Sequence, residues 1–139
     1  MKIDFYEMKS LIENYNSNVE KADRLRKKLL ELLEYNTKIT ASYGINSGGS
    51  GAFSNSKIET YALKIIETEQ ELMEVEDKIC LVNVGCKTLN KSELEVINLI
   101  RNGYSNKLTR IAKRLDKSKK YVYDTRNRAI RKMSEYVKD

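Results

Sequence analysis

The residues best suited to chemistry lie near the C-terminus, on the outer side of a predicted helix that begins at Ser118. The outward positions are Lys119, Lys120, Tyr121, Tyr123, Asp124, Asn127 and Arg128. Such a mixture can read base edges in the major groove, because Lys pairs with guanine O6 and N7, Asn with adenine, and Asp with the cytosine amino group. A purely structural three-helix unit would explain the apolar side of this helix equally well, but not its outward face.

Further cations are placed to meet the phosphate groups of such a duplex. They are Lys107, Arg110, Lys113, Arg126, Arg128 and Arg131. Phosphate contacts position a protein on DNA without specifying sequence. Five or six of them predict that log K falls with log salt at a slope of about −5. The pattern therefore predicts double-stranded DNA as a partner.

Composition argues against an enzyme. The 139 residues include no histidine, which excludes Ser-His-Asp and Cys-His triads and His-ligated zinc. Cys80 and Cys86 cannot supply the four thiolates of an all-cysteine zinc site. The segment Ser47-Gly48-Gly49-Ser50-Gly51 lacks the Gly-Lys-Ser/Thr ending of a phosphate loop. We therefore expect no catalytic residues, no metal and no cofactor.

Charge divides the chain into two parts. Residues 87–139 hold 15 Lys and Arg against 6 Asp and Glu, whereas residues 1–86 hold 11 against 14. The whole net charge of +6 therefore comes from the C-terminal part. This asymmetry predicts a polyanion-binding domain at 87–139, joined to a domain at 1–86 with a different task.

The N-terminal part predicts long helices. Apolar residues recur with spacings of three and four from Phe5 to about Ile39, which predicts one continuous helix. A helix of that length cannot bury its apolar stripe on a small domain alone, and needs another long helix. Residues 41–56 are small, polar and glycine-rich, which predicts a flexible loop.

A second long helix is predicted from Lys57 to about Val84, with Gly85 as its C-cap. The acidic run from Glu67 to Asp77 is typical of a solvated face. The simplest arrangement of residues 1–86 is a long antiparallel, coiled-coil-like hairpin. Because apolar rows would stay exposed on such helices, we expect this domain to oligomerise, most simply as a homodimer.

The C-terminal part predicts three shorter helices, so that the fold class is all-α. Their local signals are a cap at Asn90 with Glu93 three residues later, an exit at Asn102-Gly103, a start at Asn106, a turn at Asp116-Lys117-Ser118 and a cap at Ser118. The inner side of the third helix is predicted to hold Val122, Thr125, Ala129, Ile130, Met133 and Val137. The spacing is that of a helix-turn-helix.

This region resembles region 4 of bacterial sigma factors. The matching pieces are Leu-Thr-Arg-Ile-Ala-Lys-Arg-Leu (108–115), Ser118, Val122 and Ala-Ile-Arg-Lys-Met (129–133). The resemblance implies that the start of the last helix reads a −35 promoter element through Lys119, Lys120, Tyr121, Tyr123 and Asp124. Tyr121 and Tyr123 stand where arginines are usual in the family, which implies a different preferred DNA sequence.

The full layout resembles phage late-gene activators of the RinA and ArpU type. That resemblance implies a phage or prophage transcription activator acting with RNA polymerase. The sigma regions that bind the −10 element have no room here, which favours an accessory regulator. Two alternatives remain: a small terminase-like packaging subunit, which also joins a helix-turn-helix to oligomerising helices, and an adaptor that binds a polymerase or sigma subunit without DNA.

The expected location is the cytoplasm, without a membrane partner. No run approaches the roughly 18 apolar residues of a membrane helix. The start, Met-Lys-Ile-Asp-Phe-Tyr-Glu-Met, places acids where a signal peptide has its apolar stretch.

Overall fold

A computed structural model describes residues 3–45 and 51–137, with side chains over 3–38 and 57–137. The helices are α1 (Phe5–Glu13), α2 (Tyr15–Ile45), α3 (Gly51–Cys86), α4 (Lys91–Arg101), α5 (Leu108–Leu115) and α6 (Lys119–Val137). The described residues contain no strand, which confirms the predicted all-α class. Within the same residues, no helix combines the length and hydropathy needed to cross a bilayer.

The first predicted helix is divided at Asn14, where the sequence indicates one continuous element. The Asn14 side-chain amide donates to the Ser10 carbonyl (2.9 Å), and Asn14 adopts φ −94° and ψ 3°. An Asn side chain that bonds the preceding turn competes with the helical backbone pattern. The carbonyl of Asn14 still accepts from Asn18 N–H, so that α2 begins at once.

Both ends of the segment 41–56, which is predicted to be a loop, are helical in the structure. Helix α2 continues to Ile45 and α3 begins at Gly51, so that residues 41–45 and 51–56 are helical. The single glycine at 44 weakens a helix by about 1 kcal/mol, and the chain has no proline to stop either helix. The rest of the predicted loop, residues 46–50, lies outside the described residues.

One compact unit comprises residues 3–19 and 76–137. Its core contains Ile3, Met8, Ile12, Val82, Val96, Ile97, Ile100, Ile111, Ala112, Val122, Ala129, Ile130 and Met133. Helix α1 packs against both α4 and α6, and Met8 and Ile12 are fully buried there. The predicted boundary between residues 86 and 87 differs from this unit, because α1 and the end of α3 pack with the C-terminal helices.

The ends of α4 follow their local signals. Asn90 accepts from the Glu93 backbone N–H (2.9 Å), and the Glu93 carboxylate accepts from the Asn90 N–H (3.0 Å), a complete capping box. The helix ends at Arg101 with Asn102 as its C-cap, and Gly103 follows with φ +82°, a conformation that glycine adopts without strain. The cap of α5 is Lys107 rather than Asn106, with no side-chain hydrogen bond.

Gly85 has a packing role instead of the predicted C-cap role, since α3 continues through it to Cys86. A Cβ atom at Gly85 would lie 3.0 Å from the Cβ of Met133. A hydrogen at this position therefore allows the backbone of α3 to approach α6 closely.

The second compact unit comprises residues 20–75, from α2 and α3. Tyr35 stacks near Tyr61, with ring centroids 4.7 Å apart, and Lys21 pairs with Glu71 at 3.3 Å. The earlier residue of α2 therefore contacts the later residue of α3, and the later residue of α2 contacts the earlier residue of α3. The buried side chains of this unit are Ala22, Leu25, Ile65, Thr68, Leu72 and Val75.

Candidate nucleic-acid interface

A side-chain cap and a tight turn fix the start of α6. The Ser118 Oγ accepts from the Tyr121 N–H (3.0 Å), as predicted for an N-cap. Before it, Asp116 ends α5 in the left-handed conformation, with φ 54° and ψ 48°. Asp is one of the few residues that adopts this conformation at small cost, so that the chain turns within three residues.

The residues predicted to lie on the inner side of α6 are the ones that face the core. Val122, Thr125, Ala129, Ile130 and Met133 are buried, and Val137 is half-buried against the same core. Ala112 and Ile111 of α5 are buried opposite them, where α5 and α6 meet. Because the inner row is fixed by packing, the outer row has a defined orientation.

The outer row of α6 runs Lys120, Asp124, Asn127 and Arg131, with a spacing of four, three and four. These positions lie opposite the buried row at about 100° per residue. Lys120, Asp124 and Arg131 are exposed, and Asn127 is half-buried. Two cations, one acid and one amide therefore form a stripe along the surface of the helix.

Residues beside this stripe divide into exposed and packed groups. Lys119 and Tyr123 are exposed, as the sequence analysis requires for reading bases. Tyr121 is half-buried against the core instead, and Lys117 lies over its ring at 5.4 Å. The ring of Tyr121 therefore acts mainly as part of the packing, which its residue type alone does not reveal.

Arg126 forms a local cluster with its neighbours on α6. Its Nε and Nη2 both donate to the Asn127 Oδ1, at 3.2 and 3.0 Å. The same guanidinium lies 5.4 Å from the centre of the Tyr123 ring, within cation–π range. These contacts with Asn127 and Tyr123 hold Arg126, which is half-buried.

The predicted cations of α5 lie on its exposed side. Arg110 and Lys113 are exposed, opposite the buried Ile111 and Ala112, and the N-cap residue Lys107 is exposed as well. Arg114, which the sequence analysis does not single out, stacks over the Tyr104 ring at 5.5 Å. Between residues 107 and 120 the chain has seven Lys and Arg and one acid, Asp116. All seven of these cations are exposed, so that α5 and the start of α6 carry a strongly positive surface.

Arg128 has a structural partner that the sequence analysis did not assign. Its Nε donates to the Glu93 carboxylate at 2.9 Å, and Lys132 donates to the other carboxylate oxygen at 2.8 Å. The Glu93 side chain is fully buried by area, and an unpaired carboxylate there would be costly. Arg128 therefore joins α6 to α4, although 53% of its side chain remains accessible, as its predicted outward position requires.

The environment of Glu93 favours its charged form. Burial by itself would raise the pKa of Glu93. The hydrogen bonds from Lys132, the Asn90 N–H and Arg128 lower it by more than burial raises it, so that the pKa lies below its ordinary value. The sequence signal for this ion pair is the spacing of Arg128 and Lys132, four residues apart on one side of α6.

Arg101 is another cation whose side chain bonds to other helices of the same unit. It donates to Asn83 Oδ1 (3.1 Å) and lies 5.3 Å from the Tyr15 ring centre. Tyr15 also donates its hydroxyl hydrogen to Asn83 Oδ1 (2.9 Å). Burial raises the pKa of the nearby Cys86 thiol, an effect that the charge of Arg101 opposes only in part. These contacts connect the start of α2 and the end of α3 to α4.

The described residues contain no group of three His, Cys, Asp or Glu side chains that could hold a metal ion. Comparisons with protein-family models, curated proteins and solved structures find no match to this chain.

Proposed function

We propose that this protein is a sequence-specific regulator that binds double-stranded DNA. In this proposal α4, α5 and α6 form a helix-turn-helix, and α6 enters the major groove by its N-terminal half. The observation that carries the proposal is the outer row of α6. A buried core fixes this helix, yet its outward side presents Lys120, Asp124 and Asn127, which can contact bases.

The surrounding charge supports the same function. Lys107, Arg110 and Lys113 on α5, and Arg131 on α6, are exposed where phosphate groups would flank a helix in the groove. Such contacts supply affinity that does not depend on sequence. Arg101, Arg128 and Lys132 are bonded to Asn83 or Glu93, which leaves the exposed cations of α5 and of the start of α6 as the candidates for phosphate contacts.

We propose that a second copy of the chain binds along the unit formed by residues 20–75. Leu30, Leu33, Ile66 and Met73 remain exposed there, with 66% of Leu30 accessible. Counting about 100° per residue from the buried rows places all four on one side of the helix pair. The Lys21–Glu71 pair lies on the opposite side. An apolar face of this kind is typical of a protein–protein contact.

Charge complementarity favours a second copy as the occupant of this face. Apart from the Lys21–Glu71 pair, residues 24–28 of α2 carry four Lys and Arg and no acid, whereas residues 67–77 of α3 carry five further acids and no base. A two-fold axis along the helices would place α2 of one copy over α3 of the other at the same level. Two DNA-binding units joined in this way would read two half-sites and gain affinity by avidity.

The regulatory role is proposed from the resemblance to sigma region 4 and to late-gene activators of the RinA and ArpU type. Under this proposal, DNA-bound copies activate phage or prophage genes in contact with RNA polymerase. The resemblance, and not the charge pattern, supports the choice of activation.

The test is fluorescence anisotropy of the full chain with duplexes enriched from a random library. We expect log K to fall with log salt at a slope of about −4 to −5. Lys120→Ala should weaken binding to the enriched duplex about tenfold, because a good base contact contributes about 1–3 kcal/mol. Lys87→Ala removes an equal charge from an exposed site in the turn between α3 and α4, outside the proposed contacts, and should change binding by less than about twofold.

Two outcomes would contradict the proposal. Equal losses for Lys120→Ala and Lys87→Ala would remove the base-reading role of α6. Absent or salt-insensitive DNA binding would favour the adaptor function. A mass measurement in solution adds a further distinction, since a dimer supports regulation, whereas a large ring of chains supports DNA packaging.

A further inference from the structure

We propose that Asp124, Arg126 and Asn127 together specify one G·C base pair. This inference rests on the proposed DNA-binding function and names the base pair that its surface recognises. It also departs from the expectation that an outward-facing Asn on a recognition helix reads adenine. The reason is the hydrogen bonding of the Asn127 amide.

The acceptor of the Asn127 amide is already engaged. Arg126 Nε and Nη2 donate to its single carbonyl oxygen at 3.2 and 3.0 Å, which uses both lone pairs of Oδ1. The orientation of the amide follows from chemistry, because a guanidinium has only donors and must face the oxygen. Stacking on Tyr123 at 5.4 Å holds the guanidinium in place.

The consequence is an edge made only of donors. Asn127 keeps its Nδ2 hydrogens, and Arg126 keeps the N–H groups that do not point at Oδ1. To read adenine, Asn must accept from N6 while it donates to N7, and the accepting half is occupied here. Guanine presents two acceptors, O6 and N7, to the major groove, which match a donor-only edge.

Asp124 provides the complementary half of the same base pair. It precedes Asn127 by three residues on the outer row of α6, so that the two side chains are neighbours on the helix surface. Its exposed carboxylate has only acceptors when ionised, and the cytosine of a G·C pair offers the N4 amino donor. Donors toward guanine and an acceptor toward cytosine therefore lie side by side.

The test is duplex selection from a random library with the full-length wild type and the Arg126→Ala variant. The wild type should enrich a G·C pair at one position that Asp124→Asn relaxes. Against a duplex with A·T at that position, the wild type should bind about tenfold more weakly or worse. In Arg126→Ala the Asn127 oxygen becomes available, and the preference at the same position should move toward adenine. Arg126→Lys, which retains the charge but not the fork, should show the same change in preference.

Arg131→Ala is the matched control, because it removes a cation from the same row without touching the Asn127 amide. It should weaken all duplexes equally and leave the preference unchanged. Adenine enriched by the wild type, or an Arg126→Ala variant that keeps its guanine preference, would overturn the inference. A uniform loss for Arg126→Ala would assign Arg126 to a phosphate and overturn it as well. Failure to enrich any duplex would instead overturn the proposed function on which the inference rests.

Discussion

The two compact units bury their apolar residues to different degrees. In the unit formed by residues 3–19 and 76–137, Met8, Ile97 and Ile130 are among many side chains that are almost wholly inaccessible. In the unit formed by residues 20–75, the larger apolar side chains Leu30 and Met73 stay mostly exposed. The first unit thus has a core of its own. The second has a narrow buried row and an exposed apolar side, which is the proposed contact with a second copy.

The difference indicates where stability and assembly reside. A closed core makes each buried side chain costly to shorten, because a cavity remains. An exposed apolar side chain contributes little to the fold of one copy, but much to a contact that covers it. Substitutions in the two units should therefore change different measured quantities.

The largest expected effect on stability comes from Ile12→Ala. This residue of α1 is 1% exposed within the core, so that its loss should lower the free energy of unfolding by about 2–5 kcal/mol. Leu30→Ala is the matched control in the other unit, and should cost about 0.5 kcal/mol or less at concentrations where the chain is a monomer. Urea unfolding of both variants measures the comparison. Equal losses would show that α1 is not part of the closed core.

Glu93→Gln should have an intermediate effect, of about 1–3 kcal/mol. The substitution keeps the shape of the side chain but removes the charge that Arg128 and Lys132 neutralise. Because the pKa of Glu93 is lower in the folded chain than in the unfolded one, its stabilising contribution is complete above the unfolded value of about 4.3. That contribution is lost as the pH falls through the folded pKa.

Unfolding curves across acidic pH check this linkage. The wild type should lose stability more steeply than Glu93→Gln as the pH falls below about 4.3. Parallel curves for the two proteins would contradict the coupling of α4 and α6 through this carboxylate.

The smallest effect on the fold, and the largest on assembly, should come from the Leu30→Lys/Ile66→Lys double variant. Both side chains are at least half exposed, so that one copy should retain its helicity and its unfolding profile. A charge on the proposed contact face should convert the dimer to a monomer in sedimentation velocity. Lys38→Ala is an exposed control on α2, outside the basic segment of that helix, and should leave the mass unchanged. A double variant that remains dimeric would exclude this face as the contact.

The part of the fold that the sequence predicts well is the part set by short-range contacts. The Asn90–Glu93 box and the Ser118 cap each join residues three apart, and the inner row of α6 follows one helical period. The packing of α1 on α4 and α6 is different. It joins distant segments, and the apolar stripe of α1 does not indicate which helices cover it.

The same distinction applies to the candidate site. Sequence position places Lys120, Asp124 and Asn127 outward, because the helical period determines it. It does not reveal that Arg128 pairs with Glu93, 35 residues away. It also misses the bond between Arg126 and Asn127, because adjacent residues on a helix do not normally face each other.

The most direct measurement of the central claim is an NMR titration of the full chain with its selected duplex. Binding through α5 and α6 predicts the largest amide and side-chain shifts at Lys113, Lys120, Tyr123 and Asn127, and small shifts over residues 20–75. Shifts confined to residues 20–75, with the surface of α6 unchanged at saturating duplex, would contradict the account.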